Sequence, residues 1–173
     1  FRYDPKFVVD FRLISRWLTI SIEAGASVTF CCLRVPVTFV SSNWIADGVR
    51  GIFITIFASG ASVFQSLEAA KMLEKKNLSC AVVNMHTIKP LDKEAVKKAC
   101  KSKLIATVEE HNIIGGLGSA ISEYKSTLGF GPKQLFFGIK DNYSKGGGYK
   151  FLLDKHRLTS EKIIEDVQKK INE

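Results

Sequence analysis

Glu109-Glu110-His111 is the densest cluster of ionisable side chains in the sequence. An imidazole beside carboxylates can move a proton near neutral pH, so the trio would make His111 a proton shuttle steered by a carboxylate. The same residues would also suit a hydrogen-bonded loop or a subunit contact. Gly115-Gly116-Leu117-Gly118-Ser119 follows and opens a predicted helix. Bare amides at the positive end of a helix dipole can bind an anion. The spacing is neither the Gly-x-Gly-x-x-Gly of dinucleotide folds nor a phosphate loop closed by Gly-Lys-Ser/Thr. The plainer reading of these glycines is close packing of helix against sheet. His86 ends a strand, and His156 falls between the last two helices; no two histidines stand at i, i+4, so no metal site is expected. Ser59 and Ser62 follow a strand without the Gly-x-Ser-x-Gly of a nucleophile elbow. By themselves these residues form no complete catalytic set.

The elements that must position these groups follow from the apolar pattern. Ile52–Ala58 is a continuous β-branched and aromatic run ended by Ser59-Gly60, as expected of a strand buried on both faces. Val63, Leu67, Ala70 and Leu73 keep helical spacing, and Asn77 closes that helix. Cys80–Met85 reads as the next strand. Asp92 is the expected N-cap of a short helix carrying Ala95, Val96 and Ala99. Leu104–Val108 is a further buried strand, with Glu109–His111 just past its carboxyl end. A helix through Ile121 and Tyr124, a strand over Gln134–Ile139, a loop at Gly146–Gly148 and helices over Tyr149–Lys155 and Thr159–Ile171 complete the pattern, Thr159 being a plain N-cap. Alternating strands and helices require crossover connections, hence a mostly parallel sheet with helices on both faces. Ligands approach such sheets at the carboxyl ends of their strands. Residues 1–48 are irregular, with β-rich runs at Val28–Phe30 and Val35–Val40.

With 173 residues, 46% hydrophobic and 24% charged, the chain has the composition of one globular domain, or one domain and a remnant of a neighbour. No apolar stretch reaches the length of a membrane-spanning helix. The net charge is +8, of which +1 falls in residues 1–48 and +7 in residues 49–173. The excess is spread over helix faces without interleaved aromatics, so a solvated surface comes first, phosphorylated metabolites or an acidic partner second, and nucleic acid last. Cys31, Cys32, Cys80 and Cys100 include no Cys-x-x-Cys pair, so free thiols in a reducing cytoplasm are expected. The first residue is Phe1 and no signal-peptide pattern follows, which reads as a fragment or a processed piece.

Asn84-Met-His-Thr-Ile-Lys-Pro-Leu-Asp92 and Val108-Glu-Glu-His-Asn-Ile-Ile-Gly-Gly-Leu-Gly-Ser-Ala120 resemble, in order and spacing, the C-terminal domain of transketolases. Ala58-Ser-Gly60 with its following helix, Gly138-Ile-Lys-Asp141 and the Leu152–Ile163 region fit the same family, so the similarity runs over roughly residues 50–171. It is closest to the split form, in which a small chain carries the pyrimidine-binding and C-terminal domains. The resemblance implies a three-layer α/β/α domain over residues 43–173, with a five-stranded, mostly parallel sheet whose first strand, Asn43–Val49, is antiparallel. Residues 1–42 would be a remnant of a preceding pyrimidine-binding domain or an irregular segment.

The same resemblance implies a place in a two-carbon ketol transfer between sugar phosphates, in the pentose phosphate pathway. Thiamine diphosphate and Mg (or Ca) would serve the full assembly, with none bound by this stretch alone. The diphosphate domain's Gly-Asp-Gly motif and the activating glutamate of the pyrimidine domain have no counterpart here, so no catalytic, cofactor-binding or metal residue is expected. The domain would pack against a thiamine diphosphate-binding domain or subunit and help a homodimer form. Val28-Thr-Phe-Cys-Cys-Leu-Arg34 resembles the strand whose closing arginine contacts substrate phosphate, which makes Arg34 a substrate-phosphate candidate, although Leu33 stands where the family has Ser or Gly. Glu109, Glu110, His111, Gly115, Gly116, Gly118 and Ser119 are loop, interface or anion-site candidates. Gly146-Gly-Gly148-Tyr departs from the family's Gly-Glu-Ser-Gly type of stretch.

Two other readings compete. Deoxyxylulose-phosphate synthase and the β chain of 2-oxo-acid dehydrogenases share a related C-terminal domain; there Glu-Glu-Gly is favoured over Glu-Glu-His, so His111 points to transketolase. A small anion- or nucleotide-binding regulatory module would use the Gly115–Gly118 helix start. RNA binding is a poor fit, since no aromatic-basic motif is present.

Overall fold

Alternate residues of one buried strand serve two different cores, and this organises the molecule. The computed structural model describes residues 53–173 in full and, before them, the backbone of four strands, β1 (Val9–Ile14), β2 (Trp17–Ile22), β3 (Ala26–Cys31) and β4 (Thr38–Val40). The first three pair as an antiparallel sheet in the order β1-β2-β3. The second sheet has the order β4-β6-β5-β7-β8, with β5 at Ile54–Ala58, β6 at Cys80–Asn84, β7 at Leu104–Asn112 and β8 at Lys133–Ile139. β5 runs parallel to β6 and β7, and β7 parallel to β8. Only the edge strand β4 is antiparallel, with Phe39 opposite Val83. This is the expected five-stranded, mostly parallel α/β sheet. The antiparallel edge position expected of Asn43–Val49 is taken instead by β4, at Thr38–Val40; Asn43–Val49 and Arg34 lie outside the described residues.

The pleat sends successive side chains to opposite faces. Ile54, Ile56 and Ala58 of β5, Cys80 and Val82 of β6, and Leu104, Ala106 and Val108 of β7 face one core. That core is closed by α1 (Ser62–Glu74), α4 (Tyr149–Lys155) and α5 (Ser160–Asn172), which contribute Leu73, Leu153, Ile163 and Val167. Phe57, Val83 and Ile105 face the other core, closed by α2 (Lys93–Ala99) and α3 (Leu117–Leu128). Every residue of β5 is buried. Covering both faces leaves no polar side, which is why the sequence here is a continuous apolar run. Complete burial of side chains such as Phe57, Ile54 and Leu73 contributes roughly 1.5–3 kcal/mol each.

The helix ends follow local chemistry. Asp92 accepts the Ala95 amide at 2.9 Å as N-cap of α2, and Thr159 accepts the Lys162 amide at 3.5 Å at the start of α5. Asn77 takes φ +61° just after α1, a left-handed conformation that asparagine tolerates and that stops the helix. Ser62 Oγ lies 2.7 Å from the carbonyl oxygens of both Ser59 and Val108, tying the start of α1 to the carboxyl ends of β5 and β7.

Cys80 and Cys100 are free and buried. Burial, with a smaller push from the Glu74 charge, raises the Cys80 thiol well above its ordinary value of 9.0. A thiol-reactive dye at pH 8 should therefore label Cys80 only after denaturation; peptide mapping that finds Cys80 itself labelled in the native chain at the rate of a free thiol would contradict this. Because the folded value is the raised one, the associated stability is full below pH 9.0 and falls as the pH climbs above it, where only the unfolded chain ionises.

Candidate functional site

The ionisable trio is not a loop past a strand. β7 continues to Asn112, so Glu109, Glu110 and His111 lie within it. The pairing with β8 shifts register between Val108 and Asn112, and the extension is held where Asn112 pairs with Ile139 and the Ile113 amide donates to the Ile139 carbonyl at 3.0 Å. Strand parity then separates the two carboxylates. Ile105 and Thr107 face the α3 side, and Glu109 continues that row; Glu110 lies on the other side and is exposed.

Glu109 is 2% exposed, and its carboxylate meets the first turn of α3. The Leu117 amide donates to Oε2 at 2.7 Å and the Gly118 amide to Oε1 at 2.9 Å. The N-cap of α3 is Gly116, which has no side chain to cap with. Glu109 supplies the missing acceptor from a neighbouring strand and places a negative charge at the positive end of the helix dipole. The helix start is thus a filled anion site, with the chain's own carboxylate as the anion. The glycines make room for it. A Cβ on Gly116 would stand 2.0 Å from Glu109 Oε2, and one on Gly118 would stand 2.6 Å from Cδ1 of Phe136 and 2.8 Å from Oγ1 of Thr107. Gly115, at φ +77°, is there for its backbone conformation. Ser119 Oγ accepts the Gly115 amide and donates to the Ile113 carbonyl, both at 2.9 Å, which closes the turn.

Outside this clamp the groups serve other ties. Glu110 accepts a hydrogen bond from the Tyr149 hydroxyl at 2.6 Å, and that bond raises the phenol's pKa. His111 is exposed, and its Nδ1 donates to the Asn112 carbonyl at 2.9 Å, which puts the proton of the neutral ring on Nδ1. Neither carboxylate of the trio is hydrogen-bonded to the imidazole, so the steered proton shuttle is not assembled. Asn112 links the same rim to the next loop: Nδ2 donates to Asp141 at 3.3 Å and Oδ1 accepts the Ile114 amide at 2.8 Å. His86 pairs with Thr87, and His156 with Ser144. Tyr149, Asp141 and Phe136 were not legible as partners, since each is brought in from a later element of the chain. Carrying the period of two onward from Ile105 puts Glu109 on the α3 side only once the strand is known to run past Val108.

The described residues do not fit thiamine diphosphate or its metal. The amides that would face a diphosphate are bonded to Glu109, and no three His, Cys, Asp or Glu side chains converge on a cation position among the described residues.

The profile of the transketolase C-terminal domain matches residues 49–163. The chain belongs to this family. The transketolase C-terminal domain described here is 37% identical over 123 residues to a transketolase C-terminal section from Methanocaldococcus jannaschii, covering 71% of this chain and 38% of that protein. It is 38% identical over 120 residues to a 1-deoxy-D-xylulose-5-phosphate synthase from Nitrosococcus oceani, covering 69% of this chain and 18% of that protein. Among solved structures it resembles a split-gene transketolase described as an inactive β4 tetramer, with a TM-score of 0.65, 32% identity and coverage of 76% of this chain and 41% of that one. The chain therefore spans from under a fifth to about two fifths of the length of these relatives.

Proposed function

We propose that this domain is the noncatalytic C-terminal part of a thiamine diphosphate-dependent transketolase, with the cofactor and its divalent metal, Mg or Ca, held elsewhere in the assembly. It packs against a cofactor-binding domain or subunit and helps a homodimer form, in a cytoplasmic enzyme of the pentose phosphate pathway that moves a two-carbon ketol unit between sugar phosphates. In this reading the domain is residues 43–173 together with β4 at its sheet edge, and the chain ahead of β4 is the end of a preceding one. The observation that carries it is the Glu109 clamp: the polar groups best suited by sequence to bind an anion are spent on fixing α3 to β7. Ile114, Phe130, Phe136, Tyr149 and Phe151 are large apolar side chains left exposed, which suits a domain that is covered by others. Glu110 and His111, on the rim beside them, are contact residues in this account.

The test is a ketol-transfer assay with thiamine diphosphate, magnesium, a ketose phosphate and an aldose phosphate. The purified chain is expected to be silent, and activity is expected on adding polypeptides that supply the diphosphate- and pyrimidine-binding domains. Turnover by the chain alone would overturn the proposal.

The similarity to deoxyxylulose-phosphate synthases supports a second reading, because the identity is as high as to the transketolase section. Offering the reconstituted enzyme pyruvate or a ketose phosphate as donor separates the two, and His111 favours the ketose phosphate.

A further inference from the structure

We propose that residues 140–151 form a strap that swings off the carboxyl end of β7 when one latch, the hydrogen bond from Tyr149 to Glu110, is broken. Every residue from Lys140 to Phe151 is exposed. Elsewhere among the described residues no exposed run is longer than three, as at residues 75–77. No backbone hydrogen bond joins residues 143–147 to the rest of the domain among the described residues. The span is moored at its ends, where Phe137 of β8 and Leu153 of α4 are buried. The first turn of α4 belongs to it, and a Cβ on Gly147 would stand 2.7 Å from Cδ1 of Phe151, so that ring packs on the strap's own backbone. A segment with no buried side chain and no backbone ladder opens at little cost to the remainder of the fold.

Three side-chain ties cross from the strap to the body of the domain. Asn112 Nδ2 donates to Asp141 at 3.3 Å, Ser144 pairs with His156, and the Tyr149 hydroxyl donates to Glu110 at 2.6 Å. They are not equal. The first is long. The second reaches only the C-cap of α4, a little beyond the strap itself. The third is short and ends on a carboxylate, and hydrogen bonds to a charged oxygen are roughly twice as strong as neutral ones. Strand parity sets Glu110 on the side of β7 away from Glu109, so this latch can open without disturbing the clamp on α3.

Gly146 and Gly148 supply the hinge. A Cβ on either would meet nothing within 4 Å, and neither takes a positive φ. They serve neither close packing nor a left-handed turn, and what remains is freedom of the backbone. Closed, the strap occupies Glu110 and Nδ2 of Asn112. Open, it leaves both groups on the β7 rim beside the exposed His111. The strap thus controls which polar groups the carboxyl edge of the sheet presents to a neighbour. This inference does not depend on the assignment to a ketol-transfer enzyme and is read without any activity assay.

The experiment follows limited tryptic digestion of the whole chain by mass spectrometry. A protease draws its substrate out as an extended segment, so cleavage tracks the open population when opening is fast. The peptide bond after Lys145 should be cut before any bond between residues 53 and 139. The nicked chain should elute as one species in gel filtration, because Leu153, Leu158, Ile163 and Val167 keep the last two helices in the core. Tyr149→Phe should raise the rate after Lys145 at least about fivefold, and Glu110→Ala should match it. The double variant should stay within about twofold of either single one, as expected of two groups that act through one bond. Ser126→Ala, which removes an exposed hydrogen bond of α3, is the control and should leave the rate within about twofold of wild type. A bond after Lys145 that resists trypsin, or a Tyr149→Phe rate short of that increase, would overturn the proposal. So would an equal acceleration at sites in α1 and α2, since the variant would then have loosened the whole domain, or nicked fragments that separate, since the span would then carry part of the core.

Discussion

Glu109→Ala is expected to lower the unfolding free energy by about 3–5 kcal/mol, the largest effect of any single polar substitution in this domain. The carboxylate is 2% exposed and accepts from two amides, at 2.7 Å and 2.9 Å. Hydrogen bonds to a charged group are worth roughly 1.5–3 kcal/mol each, and each buried donor left without an acceptor costs roughly 1–3 kcal/mol. These two figures describe the same loss from either side and do not add. Leu117, one of the two donors, is completely buried, which limits repair by solvent. Glu109→Gln should cost less, about 2 kcal/mol, because its amide oxygen can serve only one donor well while its NH2 opposes the other. Urea unfolding monitored by circular dichroism reads both values, and a change under about 1 kcal/mol in the alanine variant would show that the clamp does not hold α3 in solution.

Gly116→Ala tests the same clamp from the other side. The glycine has φ −90° and ψ −159°, values open to any residue, so the backbone exacts no penalty. The cost is steric: the new Cβ would stand 2.0 Å from Oε2 of Glu109 and 2.7 Å from the Asn112 carbonyl. The carboxylate must leave its amides or the strand must move. Overpacking of this kind costs typically about 1–3 kcal/mol. If displacement of Glu109 is the reason, the loss should shrink sharply in a Glu109→Ala background, with a coupling of at least about 1 kcal/mol in the double-mutant cycle. Additive losses would place the strain on the Asn112 carbonyl instead.

Much of the fold was legible because its signals are local. β5, β6 and β8 lie within a residue or two of their expected bounds, and Asn77, Asp92 and Thr159 stand where helix ends require them. The end of β7 was not legible. A strand normally stops at consecutive charges, and Glu109-Glu110-His111 has the composition of a turn. The strand persists because β8 continues alongside it and because one carboxylate finds two donors in the interior. The glycine spacing was equally readable as an anion cradle or as a packing device. Local sequence could not separate the two, since what decides is the position of one side chain eight residues away along the chain.

The order of strands and helices, the burial of the sheet on both faces, the helix caps and membership of the family were determined by the amino-acid sequence itself. Each is encoded in residue period or in contiguous motifs. What only the tertiary structure decided is the use of the polar groups at the carboxyl edge: Glu109 inward on α3, Glu110 outward on Tyr149, His111 on a backbone carbonyl. The physical reason is that a charged side chain takes its role from the donors within about 3 Å of it. In this domain those donors come from other elements, which meet only when the sheet and its two helical layers close.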